Sequence, residues 1–360
     1  MAQMEHPIEH PAQQGSDGRL VLVTGGCGFI GRHLVSLLAA RGDRVRVLDL
    51  ADWPRAAEPP PPGVELRQGS IRDRAALNRA CREVDLVFHL AANPNLWAPD
   101  PRTFDEVNYE GTMRVLEAAA DAGIARFVYT STESILKNIN APRTSRSALI
   151  DERVAHGEED VPGPYCRSKF RAERAASEAA QSGLPVVIVN PTMPIGPGDL
   201  TLTPPTRMLL GFLNGTTPAY LDCDFNLVDA RDAAMGHLLA AEHGRIGERY
   251  ILGHENVNLG DLLRVLERLT GQAMAKRRVP YWLAYFSALV SEGIANLTKA
   301  PPLAPLTGVR LARSSMAFDC RKARAELHWQ CRPLEKSLVD TIRDLAQRGL
   351  LTRLPQQPLW

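Results

Sequence analysis

Leu20-Val-Leu-Val-Thr24-Gly25-Gly26-Cys27-Gly28-Phe29-Ile30-Gly31 is the stretch that decides the fold. Five residues of strand character run into a turn with glycine at every third position, and an apolar-periodic helix pattern follows over 31–41. Such a turn leaves backbone N–H groups pointing out of the helix N-terminus, and glycine keeps Cβ atoms away, so a pyrophosphate can lie against the backbone. Gly25, Gly28, Phe29, Ile30 and Gly31 are therefore the expected cofactor-binding turn. The next strand pattern, 44–48, ends at Asp49, near the distance of about 20 residues at which a carboxylate meets the adenosine ribose hydroxyls. A carboxylate there repels a 2′-phosphate and selects NAD. Arg32 and Arg46 are the neighbours through which NADP would be the second choice.

Outward from this turn, short apolar runs alternate with helical patterns, the signature of βαβ units and a parallel sheet. The expected strands are 20–24, 44–48, 64–68, 86–90, 126–130 and 186–190. Helices are expected over 31–41, 74–81, 104–121 and 165–182, with Gly42, Gly123 and Gly183 as stops. Beyond Pro191 prolines cluster, and further helical patterns cover 228–242, 259–270, 281–297 and 334–348. The fold class is α/β: a Rossmann doubly wound parallel sheet with a smaller C-terminal substrate-binding lobe. The divisions are a disordered tail over 1–18, a nucleotide-binding part over 19–190, and a lobe over 191–353 interleaved with the end of the sheet.

The chain has 360 residues, and its 42 Lys+Arg against 41 Asp+Glu leave a formal charge of +1. That balance excludes a protein built to grip nucleic-acid backbones. Six scattered cysteines form no metal-ligand spacing and are expected to be free thiols, and no metal is implied. No signal peptide and no integral membrane segment is read, which places the protein in the cytoplasm. The aromatic-rich segment 280–297 is expected to be a buried helix of the lobe; the other readings are a lid over a greasy substrate or a membrane-surface contact. The charged stretch 151–160 reads as a mobile loop of the kind that closes over substrate.

The strand pattern 126–130 ends in Ser131-Thr132-Glu133-Ser134, at the sheet edge where ligands bind. Tyr165 and Lys169 follow, four apart and so on one helical face. An ammonium beside a phenol favours the phenolate and lowers its pKa. Such a tyrosine exchanges a proton with a carbinol oxygen while a nicotinamide exchanges the hydride at carbon. Thr132 is expected to hold the substrate oxygen. Glu133 is weighed as an extra acid/base against a loop carboxylate paired with an arginine.

Thr24–Gly31, His89-Leu-Ala-Ala92, Asn108-Tyr-Glu-Gly111-Thr112, Ser131-Thr132 and Tyr165-x-x-x-Lys169 together resemble the extended short-chain dehydrogenase/reductase superfamily, in its NAD-dependent epimerase/dehydratase group, over residues 19–350. The stretches 185–199 and 244–253, with Leu96-Trp97 and Asp100-Pro101, are similar to hopanoid-associated sugar epimerases and their dihydroflavonol-reductase-like relatives. The resemblance implies a Rossmann domain and places Leu90, Ala91 and Ala92 along the adenine and ribose side, with Ser70 and Ile71 near the adenine. It also implies that Asn108 supports the central sheet, that Pro191 and Thr192 lie near the nicotinamide, and that 108–120 and 165–180 lie where relatives form a homodimer. Ser70 replaces the Asp that is common in the superfamily. Glu133 matches the first acid of sugar-nucleotide dehydratases, while Ser134 replaces the second, so their full carboxylate pair is missing.

These readings lead to an NAD-dependent enzyme acting on a small molecule: a sugar, nucleotide-sugar or sugar-lipid. The alternative is an NAD(P)-dependent carbonyl reductase or alcohol dehydrogenase on a flat hydrophobic substrate, of dihydroflavonol-reductase or 3β-hydroxysteroid-dehydrogenase type. A non-catalytic dinucleotide sensor is the third reading, against which the presence of both Tyr165 and Lys169 argues. An epimerase accumulates no NADH, whereas a dehydrogenase does.

Overall fold

The computed structural model describes residues 18–140, 149–313 and 316–355. Apart from Gly18, the tail expected over 1–18 lies outside these. In chain order the first elements are β1 (Leu20–Thr24), α1 (Phe29–Ala40), β2 (Arg44–Asp49), β3 (Glu65–Gln68), α2 (Arg74–Ala80) and β4 (Leu86–His89). A helix in three parts follows: α3 (Arg102–Phe104), a π-helical turn (Asp105–Glu110) and α4 (Gly111–Ala122). Next come β5 (Arg126–Thr130), α5 (Gly163–Gln181) and β6 (Val186–Pro191).

Seven strands form one parallel sheet in the order β10-β6-β5-β4-β1-β2-β3, where β10 is Arg249–Leu252. Every residue of β1 is buried, as expected of a strand covered on both faces. Its side chains alternate: Val21 and Val23 pack with Leu34 and Leu38 of α1, while Leu20 and Leu22 pack on the other face with Leu77, Val115 and Ala176 from α2, α4 and α5. The strand order reverses between β1 and β4, and in sheets of this kind ligands bind at the carboxyl ends of the strands at such a point.

The remaining elements are β7 (Met193–Ile195), α6 (Pro204–Leu213), β8 (Ala219–Leu221), β9 (Asp224–Asp229), α7 (Ala230–His243), β11 (Glu255–Asn258), α8 (Leu259–Thr270), β12 (Arg277–Val279), α9 (Tyr281–Thr298), α10 (Leu306–Leu311), α11 (Arg321–Glu326) and α12 (Leu334–Gln347). A small sheet β11-β9-β7 and a pair β12-β8 share a third apolar core with α6, α8 and α12.

Four expectations need correction. The helix expected over 104–121 is broken by the π turn, which gives Asn108 a fully buried position facing the loop after β4. The helix expected from 228 starts at Ala230, capped by the Asp229 side chain on the Arg231 N–H. Before it lies β9, whose Asp224-Phe225-Asn226-Leu227 alternation is a short strand signal that the sequence reading passed over. The stretch 151–160 is tied down rather than loose: buried Glu152 accepts the Ile251 N–H (3.0 Å), and Arg171 holds Glu158 (2.9 Å). Finally, α9 buries only Ala288 and Ala295 and leaves its large apolar side chains in solvent. All six cysteines are free.

Candidate active site

The turn after β1 is built for a close backbone approach. Gly25 has φ of +73°, donates its N–H to the Leu48 carbonyl (2.9 Å) and accepts from the Gly28 N–H (3.0 Å). A Cβ at Gly25 would lie 2.6 Å from the Ala91 nitrogen, and one at Gly31 would collide with the Gly25 carbonyl. The α1 N-terminus has no side-chain cap and no acid in its first turn, so its N–H groups and positive dipole end stay free for an anion. Phe29 is buried behind it, and Leu90, Ala91 and Ala92 form the half-buried opposite wall.

Asp49, at the end of β2, accepts the Cys27 N–H (2.9 Å) and the Ala51 N–H (3.1 Å), which sets its carboxylate at the rim of the turn. Both arginines considered for a 2′-phosphate point elsewhere. Arg32 is buried and donates to the carbonyls of Cys27 (2.6 Å) and Gly198. Arg46 pairs with Glu65 (2.7 Å) and the Ala80 carbonyl (2.8 Å). The cradle therefore fits a dinucleotide whose adenosine ribose bears no phosphate. Ser70 and Ile71 begin the next turn, joined to Asp49 by the Gly69 N–H on its carbonyl (2.8 Å).

Behind the cradle runs a chain of hydrogen bonds in buried surroundings. The Thr112 hydroxyl donates to the Asn108 carbonyl (2.6 Å), so it accepts from His89 Nε2–H (2.9 Å), and Nδ1 takes the Thr24 proton (2.7 Å). Burial, reinforced by nearby Lys169, pushes His89 down to about 3, so it is a neutral link between β1 and α4. Asn108 is a brace: its amide binds the Asn93 N–H (2.7 Å) and carbonyl (3.2 Å) and the Ser168 hydroxyl (3.1 Å). Thr192, next to Pro191 at the end of β6, gives its hydroxyl proton to Asn226 of β9 (2.9 Å).

Tyr165 and Lys169 emerge from the first turns of α5 beneath the end of β5, and both are buried. Lys169 Nζ donates to the Thr130 carbonyl (2.7 Å) and lies 4.6 Å from the Tyr129 ring centre. Burial pulls it down to about 7, opposed by Glu173. Tyr165 packs edge-on against Phe104 (6.1 Å), and the nearby Thr132 hydroxyl works to lower its pKa. The expected lowering of its pKa is absent: burial drives the phenol up, and Glu133 adds to the rise. A charged phenolate loses more in leaving water than Lys169, aimed at Thr130, returns to it.

Glu133 departs from the reading of a loop carboxylate paired with an arginine. It is buried, accepts the Thr132 hydroxyl proton (2.9 Å), and burial raises it to about 7. Thr132 thus gives its proton to Glu133, while its oxygen takes the Ser134 N–H (3.3 Å). Sequence reasoning missed the shell behind this group, where Glu173 accepts from Asn190 Nδ2 (2.7 Å) and pairs with Arg249 (3.2 Å), and Asn190 also holds the Thr132 carbonyl (3.2 Å). One signal was available, because Tyr165, Lys169 and Glu173 recur at four-residue steps on one helix face.

The model of the NAD dependent epimerase/dehydratase family matches residues 21–253, and this span holds the turn, Asp49, Thr132, Tyr165 and Lys169. The chain belongs to this family. The family is NAD-dependent, and its members are oxidoreductases and epimerases of the extended short-chain type. Among curated relatives, the chain is 36% identical over 332 residues to "Putative dihydroflavonol 4-reductase" of Synechocystis sp., covering 91% of this chain and 94% of that one. It is 29% identical to sterol demethylase protein B of Methylococcus capsulatus, with 92% and 99% covered. Among solved structures, the crystal structure of gox2253 superimposes with a TM-score of 0.80 at 35% identity, over 92% of this chain and 99% of that one. Among the described residues, no helix of this family member is long and apolar enough to cross a membrane.

Proposed function

We propose that this chain is an NAD-linked oxidoreductase that interconverts a secondary alcohol and a ketone on a largely apolar substrate. The observation that carries the reading is that Tyr165 belongs to the apolar core of the lobe, with Phe104 against its ring and Leu96 and Ala98 packed on the same core. Apolar surroundings at the reacting tyrosine favour a flat hydrophobic molecule over a hydroxyl-rich one, whose polar groups would lose water without recovering partners. Bound NAD supplies the hydride acceptor. Held protonated by burial, Tyr165 gives its proton to the ketone oxygen as the hydride reaches the carbon, and the phenolate so formed takes the proton back in the oxidising direction. Thr132 aligns the phenol, and Lys169, anchored on the Thr130 carbonyl, holds the cofactor ribose.

One observation favours a second reading, a sugar-directed epimerase or dehydratase: Glu133, bonded to Thr132 and close enough to raise the Tyr165 phenol, matches the first dehydratase acid. Apolar secondary alcohols of sterol and flavonoid type and a set of nucleotide sugars are incubated with the protein and NAD, and absorbance of reduced nicotinamide is followed. Stoichiometric NADH with an apolar alcohol, lost roughly a thousandfold in Tyr165→Phe while NAD still binds, is the expected result. Epimer formed from a nucleotide sugar without NADH, or full turnover by the variant, would overturn the reading.

A further inference from the structure

The exposed face of α9 is the largest feature that the chemistry leaves unexplained. Of the thirteen large apolar residues exposed among those described, eight lie between Trp282 and Leu303. Trp282, Phe286, Val290, Ile294 and Leu297 recur at helical spacing on one face, with exposures from 47% to 85%, and Leu303 beyond them reaches 98%. The opposite face rests on the protein: Ala288 and Ala295 are buried, and Glu292 accepts the Leu306 N–H (2.8 Å). A contiguous apolar surface of this kind marks an interaction site.

Charge indicates what covers it. The chain as a whole is nearly neutral, yet residues 276–313 carry six Lys and Arg against the single acid Glu292. Lys276, Arg277 and Arg278 lie before α9, and Lys299, Arg310 and Arg313 lie after it. Lys276 and Arg278 reach Glu267 (3.5 Å) and Asp222 (3.3 Å). Arg277 and Lys299 are exposed at the two ends of the helix. Because both ends are basic, a second copy laid on this face meets like charge in either orientation. An anionic lipid surface meets opposite charge at both ends and takes up the apolar stripe between them.

We infer that α9 docks this protein in the plane of an anionic bilayer, with its Trp282–Leu297 stripe sunk into the headgroup boundary. The helix is also coupled to the site: Trp97 Nε1 donates to Asn296 (3.0 Å) and Lys299 to the Pro99 carbonyl (3.3 Å), both in the loop that carries Leu96 to the cluster around Tyr165. Docking therefore brings the loop of Leu96–Pro99, which packs on the core that holds Tyr165, to the lipid.

The test is flotation of the full chain with phosphatidylcholine vesicles, with and without phosphatidylglycerol, alongside sedimentation of the free protein. It involves no turnover, so its failure is separable from failure of the proposed reaction. Expected is flotation with the anionic vesicles, reduced by about tenfold or more in the double variant Phe286→Ser, Leu297→Ser and by high salt, with NAD binding retained as a check of folding. Three results would overturn the inference: no flotation with anionic vesicles, equal flotation of the folded double variant, or a dimer of the free protein that the double variant dissociates.

Discussion

Replacing Glu133 by Gln gives the most quantitative test of the site, because it removes one buried charge while keeping an acceptor for the Thr132 hydroxyl. Burial raises Glu133 from 4.5 to about 7 in the folded chain, so the folded state holds a proton that the unfolded chain releases. The sign follows from linkage: this group's contribution is fully present below pH 4.5 and is lost as pH rises to about 7. Across that interval each pH unit is worth about 1.4 kcal/mol, so wild type loses about 3 kcal/mol that the Gln variant keeps. Denaturant unfolding of both proteins, followed by tryptophan fluorescence near pH 4.5, 6 and 7.5, measures the difference. The variant should gain steadily on wild type between the first and last of these, with no further gain above about pH 8. A difference that stays flat with pH would refute the burial argument. Burial keeps Tyr165 raised in either protein, but the same substitution removes the charge that adds to that rise, so the basic limb of the pH–rate profile for ketone reduction should move to lower pH in the variant.

Two further outcomes concern the cofactor cradle. Asp49→Ala removes the carboxylate at the rim of the turn, and if that carboxylate reads the ribose the ratio of NADP to NAD use should rise about tenfold or more; an unchanged ratio in steady-state kinetics shows that Asp49 does not read the ribose. Gly31→Ala brings a methyl group onto the Gly25 carbonyl, and NAD binding by calorimetry should weaken about tenfold or more, while an unaltered affinity removes the turn from the binding site.

How much of this was legible depends on how local each signal is. The β1 turn, Asp49 and the Tyr165–Lys169 pair are set by neighbours within one strand or one helical turn, so residue type and spacing reveal them. Asn190 could not be read in this way, because its partners Glu173 and Thr132 come from two other elements. The π turn at Asp105–Glu110 preserves the apolar periodicity on either side and hides the one-residue offset that buries Asn108. α9 misled for a different reason. Composition says that a helix of Trp, Phe, Leu and Ile belongs inside, but burial depends on what the rest of the chain places over it, and here nothing among the described residues covers its outer face.

The position of β10 in the main sheet has a consequence for cutting the molecule. After β6 the chain leaves for β7 and β9 of the small sheet, returns for β10, and leaves again for β11. No single break in the backbone yields two pieces that each own a complete sheet. A fragment ending at residue 190 would present β6 as a raw edge of unpaired N–H and C=O groups, an invitation to stick to its own kind. A protease nick in the loops of the small sheet would instead leave two fragments laced together, detectable only after denaturation.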